Sequence, residues 1–347
     1  MPTPLHSPLH IPQARRVALE RIAAELTPGR TAVLSTHINA DGDGCGSEAA
    51  LALMLAQRGI AARIVNPTPW PPSFAFLLEG VHDHSAEGAR ALAGADLLIV
   101  LDISDVRRLG TLTEAVRAFR GTKCVIDHHV PAREPPGEVI CADTAACATG
   151  ELVFDLARVM DAAIGPDVAR ALYTAMLTDT GGFRFSNTTP RCHAVAAQLL
   201  AAGVDPEEMY RRIYAQVSVG RLKLLRDALD SLEVDAPHGI AWITLPAGVL
   251  EKYDVRSEEL DGFSEHPRSV AGTKLALFFR DLGHGQVKVS FRSTGGVDVN
   301  RFARSFGGGG HERAAGAMIA GTLAEVRAKV VEAARRFVED GGKGPHA

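Results

Sequence analysis

Residues 97–102 read LLIVLD, five apolar side chains in a row followed by an aspartate. A run this short and this uniformly apolar is the pattern of a strand buried on both faces, as in a parallel sheet covered by helices. An acid placed directly after it is expensive to desolvate unless a cation or hydrogen bonds compensate its charge. Asp102 therefore marks a strand end and a candidate functional position together.

Outward from this stretch the same texture repeats. TAVLST (31–36), ARIVN (62–66) and KCVIDHH (123–129) are strand-like and alternate with helical segments such as GSEAALALMLAQRG. That alternation predicts an α/β unit with a mainly parallel sheet flanked by helices. GELVFDLARVMDAA, DVARALYTAMLTD, RCHAVAAQLLAAG and DPEEMYRRIYAQ continue as helices. VGRLKLLRDALDSLEV, near 219–234, reads as one connecting helix. Beyond it GIAWITLP, KLALFFRDLG and GQVKVSFRS are strand-like, with DLGHG as a hairpin turn, and TLAEVRAKVVEAARRFVED closes the chain as an amphipathic helix. The expected organisation is a loose leader (1–14), a catalytic α/β domain (15–215), a helical linker (216–235), a smaller α/β domain (236–340) and a short tail (341–347).

Composition narrows the function classes. The 347 residues, 46% of them apolar, are enough for two cores. With 41 acids against 37 lysines and arginines the formal charge is −4, so stable binding of long duplexes by bulk electrostatics is not expected. The five cysteines are odd in number and form no C-x-x-C pair, which argues against a disulfide framework or a thiolate zinc site and for reduced thiols in a cytoplasm. No apolar run of about eighteen residues suggests a membrane span.

Ligands of open parallel sheets gather outside the carboxyl ends of the strands. Three strand ends here carry candidate metal ligands. TAVLST leads to His37, Asp41 and Asp43; LLIVL leads to Asp102; KCVI leads to Asp127, His128 and His129. Asp179, in LTDTGGFRFSNT, adds a fourth contribution, with glycines that let the backbone turn. Carboxylates and imidazoles without thiolates favour manganese, magnesium or iron, and are compatible with zinc. Taken singly, each piece also has a plainer reading. Asp-Gly-Asp is a common turn or helix N-cap, Asp102 suits a cap for a helix starting at Ile103, a His-His pair is often partly buried structure, and Asp179 suits a C-terminal turn.

Taken together, H-x3-D-G-D-x2-G-S (37–47), LDISD (101–105), IDHH (126–129) and LTDTGGFRF (177–185) resemble the successive motifs of the DHH phosphoesterases. GGGGHERAAGA (307–317) resembles the glycine-rich signature of the DHHA1 domain that accompanies them. Within the family, size and domain pairing look like the bifunctional oligoribonucleases and 3′-phosphoadenosine-5′-phosphate (pAp) phosphatases. The resemblance implies a two-metal site with manganese first and magnesium, cobalt or another divalent ion as substitutes. His37 and Asp41 would hold one ion, Asp43, His128 and Asp179 the other, and Asp102 would bridge them. His129 would face the substrate phosphate as donor or acid, while Asp127 orients an imidazole from behind.

The second domain is expected to recognise phosphate. Gly308, Gly309 and Gly310 allow close backbone approach and His311 adds a donor, a flexible hinge being the alternative. Arg292 is a candidate bidentate clamp, or a solvated edge residue. Arg184 reads as a substrate contact or a surface ion pair, and Phe183 and Phe185 as a base platform or as core. Substrate is expected in the cleft between the domains, with closure excluding water. The resulting expectation is hydrolysis of very short oligoribonucleotides to 5′-mononucleotides and of pAp. A single-strand exonuclease on longer DNA or RNA and a catalytically silent nucleotide sensor are the rivals, and a homodimer is left open.

Overall fold

The computed structural model describes residues 9–260, 262–310 and 312–342. The chain divides into two compact units, Met1–Ala215 and Gln216–Ala347.

In chain order the first unit runs α1 (Gln13–Glu25), β1 (Thr31–Ser35), α2 (Gly42–Gln57), β2 (Ala61–Ile64), β3 (Leu97–Leu101), α3 (Thr113–Ala118), β4 (Thr122–Asp127), β5 (Val139–Ala142), α4 (Thr149–Val159), α5 (Pro166–Asp179), α6 (Pro190–Ala201) and α7 (Pro206–Ile213). The five strands form one sheet in the order β2-β1-β3-β4-β5, all pairs parallel. Strand order reverses between β1 and β3, so the loops leaving their carboxyl ends diverge and open a crevice.

Strand β3 shows why its sequence has no polar alternation. Leu97, Ile99 and Leu101 enter the core shared with α2, α4 and α5, while Leu98 and Val100 enter a second core on the opposite face with Val33, Leu109 and Val116. Each fully buried side chain of this kind contributes roughly 1.5–3 kcal/mol. Helix α2 crosses α5 closely because Gly42 and Gly46 have no Cβ. A methyl on Gly46 would lie 2.4 Å from the Ala171 carbonyl oxygen, and one on Gly42 would lie 2.4 Å from Thr178. That approach sets Asp43, in the first turn of α2, near Asp179, the last residue of α5.

The second unit comprises α8 (Val219–Asp230), β6 (Glu233–Asp235), β7 (Ile240–Leu245), α9 (Val249–Lys252), α10 (Glu265–Arg268), β8 (Leu275–Asp281), β9 (Gln286–Ser293), α11 (Val299–Arg304), β10 (Gly309–Gly310), β11 (Ala314–Ala320) and α12 (Leu323–Glu339). Its sheet has the order β10-β11-β9-β8-β7-β6, with β7 and β8 parallel and the other pairs antiparallel. Val326, Val330 and Ala334 of α12 pack on one face, and Leu224 and Ala228 of α8 pack with Ile243 and Leu245 on the other. Thr322 caps α12 through a reciprocal bond with Glu325.

The α/β reading of both units holds. The stretch read as one connecting helix ends instead at Asp230, and Glu233–Asp235 pairs antiparallel with β7, because the alternating Glu-Val-Asp fits a sheet edge. No helix among the described residues is long and apolar enough to cross a membrane.

Candidate metal centre

Each strand end of the crevice delivers its side chains for a local reason. Past β1, the buried His37 ring donates Nδ1–H to the Ile38 carbonyl at 2.9 Å. A carbonyl only accepts, so this bond fixes the tautomer and turns the Nε2 lone pair inward. Asp41 caps α2, as the plainer reading of Asp-Gly-Asp had it: one oxygen accepts from the Asp43 and Gly44 backbone N–H groups. Its other oxygen faces His37 Nε2 at 3.6 Å, so capping and ligand presentation coexist.

Asp43 is buried and accepts from Thr149 N–H at 2.7 Å, Gly150 N–H at 2.9 Å and Ser47 Oγ–H at 3.2 Å. Asp102 follows β3 with φ at 64°, a left-handed conformation that aspartate tolerates better than most residues. It caps no helix; the next helical turn starts at Val106 and is capped by Asp105. The two Asp102 oxygens point in different directions. Oδ2 lies 3.4 Å from His37 Nε2, and Oδ1 lies 3.6 Å from His128 Nε2.

His128 Nε2 also lies 3.7 Å from both Asp43 Oδ2 and Asp179 Oδ2. These separations are too long for hydrogen bonds. They approach the spacing of about 3 Å or slightly more expected of neighbouring donors about 2.1 Å from a shared ion. His37 Nε2 and His128 Nε2 are buried and have no hydrogen-bond partner. Two buried, partnerless imidazole nitrogens aimed into a carboxylate cluster fit divalent cations. The ligand atoms form three groups, His37–Asp41–Asp102, Asp43–His128–Asp179 and Asp102–His128–His129, with the atoms of each within 4.8 Å of one another.

The electrostatics agree. Burial, then the charges of Asp102 and Asp179, push Asp43 well above the usual carboxylate range. Burial foremost pushes Asp179 up to about 6, with Asp102 adding to the rise. Burial works against a charged His37, yet the facing carboxylates of Asp102 and Asp41 raise it to about 10. Four carboxylates gathered this tightly draw in positive charge, as protons or as metal.

Asp127 stands behind His129: its Oδ1 accepts Nδ1–H at 2.7 Å, leaving Nε2 as the outer pole of the ring. Arg184, also in the first unit, is exposed and spends its Nε–H on the Gly181 carbonyl. Phe183 packs on Tyr173 and His193, whereas Phe185 is 46% exposed with its ring over Gly181. In the second unit, Arg292 Nε sits 3.4 Å from Glu265 Oε1 and its Nη1 donates to the Phe291 carbonyl. Gly308 is a crowding requirement rather than a hinge, since a Cβ there would meet the Gly316 oxygen at 2.1 Å. Gly310 N–H donates to Asn300 Oδ1. Register places Gly310 opposite Ala315 and Arg292 opposite Ala314, at one end of the sheet. His311 lies outside the described residues.

Sequence reasoning passed over several supporting groups. Asn187 Nδ2 donates to Asp179 Oδ2 at 3.1 Å and to the Cys147 carbonyl at 2.8 Å, tying Asp179 to the entry of α4. Asn66 accepts from Thr36 N–H and donates to the buried Glu48, fixing the strand end before His37. Arg108 is exposed beside this site, its carbonyl accepting from Ile38 N–H. The available signal was polar residues inside otherwise apolar segments, which is weak without partners in view.

Residues 31–178 match the DHH family, N-terminal domain, and residues 243–340 match the DHHA1 domain. The bifunctional oligoribonuclease and PAP phosphatase NrnA of Thermus thermophilus is 32% identical over 311 residues, spanning 89% of this chain and 90% of that protein. The chain belongs to the DHH family of phosphoesterases. The protein of the same name from Bacillus subtilis is 28% identical over 295 residues, covering 83% of this chain and 89% of its own length. The crystal structure of an exopolyphosphatase-related protein from Bacteroides fragilis has a TM-score of 0.86 at 27% identity, covering 93% of this chain and 97% of that one. The DHH and DHHA1 resemblance carried by the motifs is borne out, and the DHH family match ends one residue before Asp179.

Proposed function

We propose that this DHH-family phosphoesterase is a two-cation hydrolase that releases 5′-mononucleotides from very short oligoribonucleotides and converts pAp to AMP. The carrying observation is Asp102, whose two oxygens face His37 and His128 separately, as a bridging carboxylate must. Relatives named for both activities span most of this chain, which supports the substrate assignment.

His37 and Asp41 would hold one cation, Asp43, His128 and Asp179 the other, with manganese the first choice for this oxygen and nitrogen donor set and magnesium or cobalt as substitutes. Bound divalent ions supply a water of lowered pKa and neutralise charge on the attacked phosphate. His129, its Nδ1–H held by Asp127, would as the imidazolium donate Nε2–H to a phosphate oxygen or the leaving oxygen. Arg108 and Arg184, both exposed, add positive charge for the substrate phosphates. Arg292 and the Gly308–Gly310 segment supply a phosphate-contacting edge on the second unit. The five buried, unbridged thiols support work in the cytoplasm.

The test is hydrolysis by the purified protein in Mn²⁺ of a diribonucleotide, pAp, a 20-mer and pyrophosphate in parallel. Turnover of the first two, abolished by Asp102→Ala, is the expected result. Failure on both would overturn the substrate assignment.

A further inference from the structure

Thr149 opens α4, is fully buried, and touches two site carboxylates at once. Its backbone N–H donates to Asp43 Oδ2 at 2.7 Å, and its hydroxyl donates to Asp102 Oδ1 at 3.0 Å. The next N–H, from Gly150, reaches Asp43 Oδ1 at 2.9 Å.

We propose that Thr149 is a positioning residue, a clasp that sets the bridging angle of Asp102 relative to Asp43; this rests on reading the cluster as a two-cation site. Asp102 hangs from a backbone in the left-handed region with no helix to orient it, so its carboxylate needs an external partner. Asp102 Oδ1 accepts the single hydroxyl proton of Thr149. That bond fixes rotation of the carboxylate, which leaves Oδ2 turned to His37 and Oδ1 to His128. Threonine suits the task because its branched Cβ restricts χ1.

The backbone half of the clasp is equally built in. Helix α4 spans 11 residues, and its first N–H groups carry partial positive charge that offsets the Asp43 carboxylate. Gly150 lets this end of α4 press against α5, since a Cβ there would lie 2.5 Å from the Ala175 Cβ. Asn187 and Glu151 hold the approach to the helix through the Cys147 carbonyl and N–H. One residue thus links Asp43, in the first turn of α2, to Asp102, just past β3.

The measurement is calorimetric titration of Mn²⁺ into cation-stripped protein, with no turnover involved. Thr149→Val keeps the shape and the backbone N–H and deletes only the hydroxyl; Thr149→Ser keeps the hydroxyl. The expected result is wild-type uptake of two Mn²⁺, an affinity about 10- to 100-fold weaker at one or both sites in Thr149→Val, and near wild-type binding in Thr149→Ser. Thr149→Val binding both ions within two-fold of wild type would overturn the clasp, as would weak binding by a folded Thr149→Ser protein. A wild-type chain taking up no Mn²⁺ would overturn the two-cation reading itself.

Discussion

Asp127 Oδ1 accepts both the Nδ1–H and the backbone N–H of His129, at 2.7 and 3.2 Å. The carboxylate is fully buried and fixes the ring's orientation with Nε2 outward. Asp127→Ala releases that ring without removing any proposed ligand. Turnover should fall about 10- to 100-fold while Mn²⁺ uptake stays at wild-type stoichiometry. Steady-state kinetics beside metal analysis check this; loss of metal with activity would assign Asp127 to the ligand set.

Glu48 is buried on α2, with one oxygen bonded to Asn66 and the other without a partner. Burial pushes its carboxyl up to about 8, against the Asn66 bond that favours the anion. The folded chain therefore keeps a proton that the unfolded chain loses above its ordinary pKa of about 4.3. The stability contributed is full below that value and declines as pH rises towards 8. Glu48→Gln mimics the protonated form and should raise Tm by several degrees at pH 8.5 and far less at pH 5. Thermal melts at the two pH values check it; an equal shift at both would contradict it.

Arg15 is buried and donates to Asp143, Glu151 and Asp155, while Arg191 also binds Glu151 and Asp155. The network pins α1 and α6 to α4, whose first N–H groups donate to Asp43 of α2. Arg15→Ala leaves two buried carboxylates short of one counter-charge, a loss of about 3 kcal/mol. Denaturant unfolding should show it, and Mn²⁺ affinity should fall with stability.

Gly46→Ala places a methyl against the backbone of α5. Forcing α2 from α5 should cost about 1–3 kcal/mol or more and part Asp43 from Asp179. Lower Tm together with weaker Mn²⁺ binding is expected; an unchanged protein would show that the close crossing is unnecessary.

The sheet was legible because strands buried on both faces carry a composition that little else imitates, as β3 shows. The six proposed ligands were legible because acids and histidines at strand ends stand out against apolar runs. Thr149 was not, since its partners lie 47 and 106 residues away and it acts through a hydroxyl and an N–H. Asn187 was hidden likewise, inside a stretch noticed for Asp179 and its phenylalanines. The glycines at 308–310 looked like freedom and are partly crowding against β11, which only sheet register reveals.

Asp102 is proposed to join two cation positions. Anomalous diffraction from a crystal equilibrated with Mn²⁺ would locate those positions. Two peaks are expected in the first unit, one against His37 and Asp41, one against Asp43, His128 and Asp179, with Asp102 touching both. A single peak, or Mn²⁺ bound away from Asp102, would contradict it.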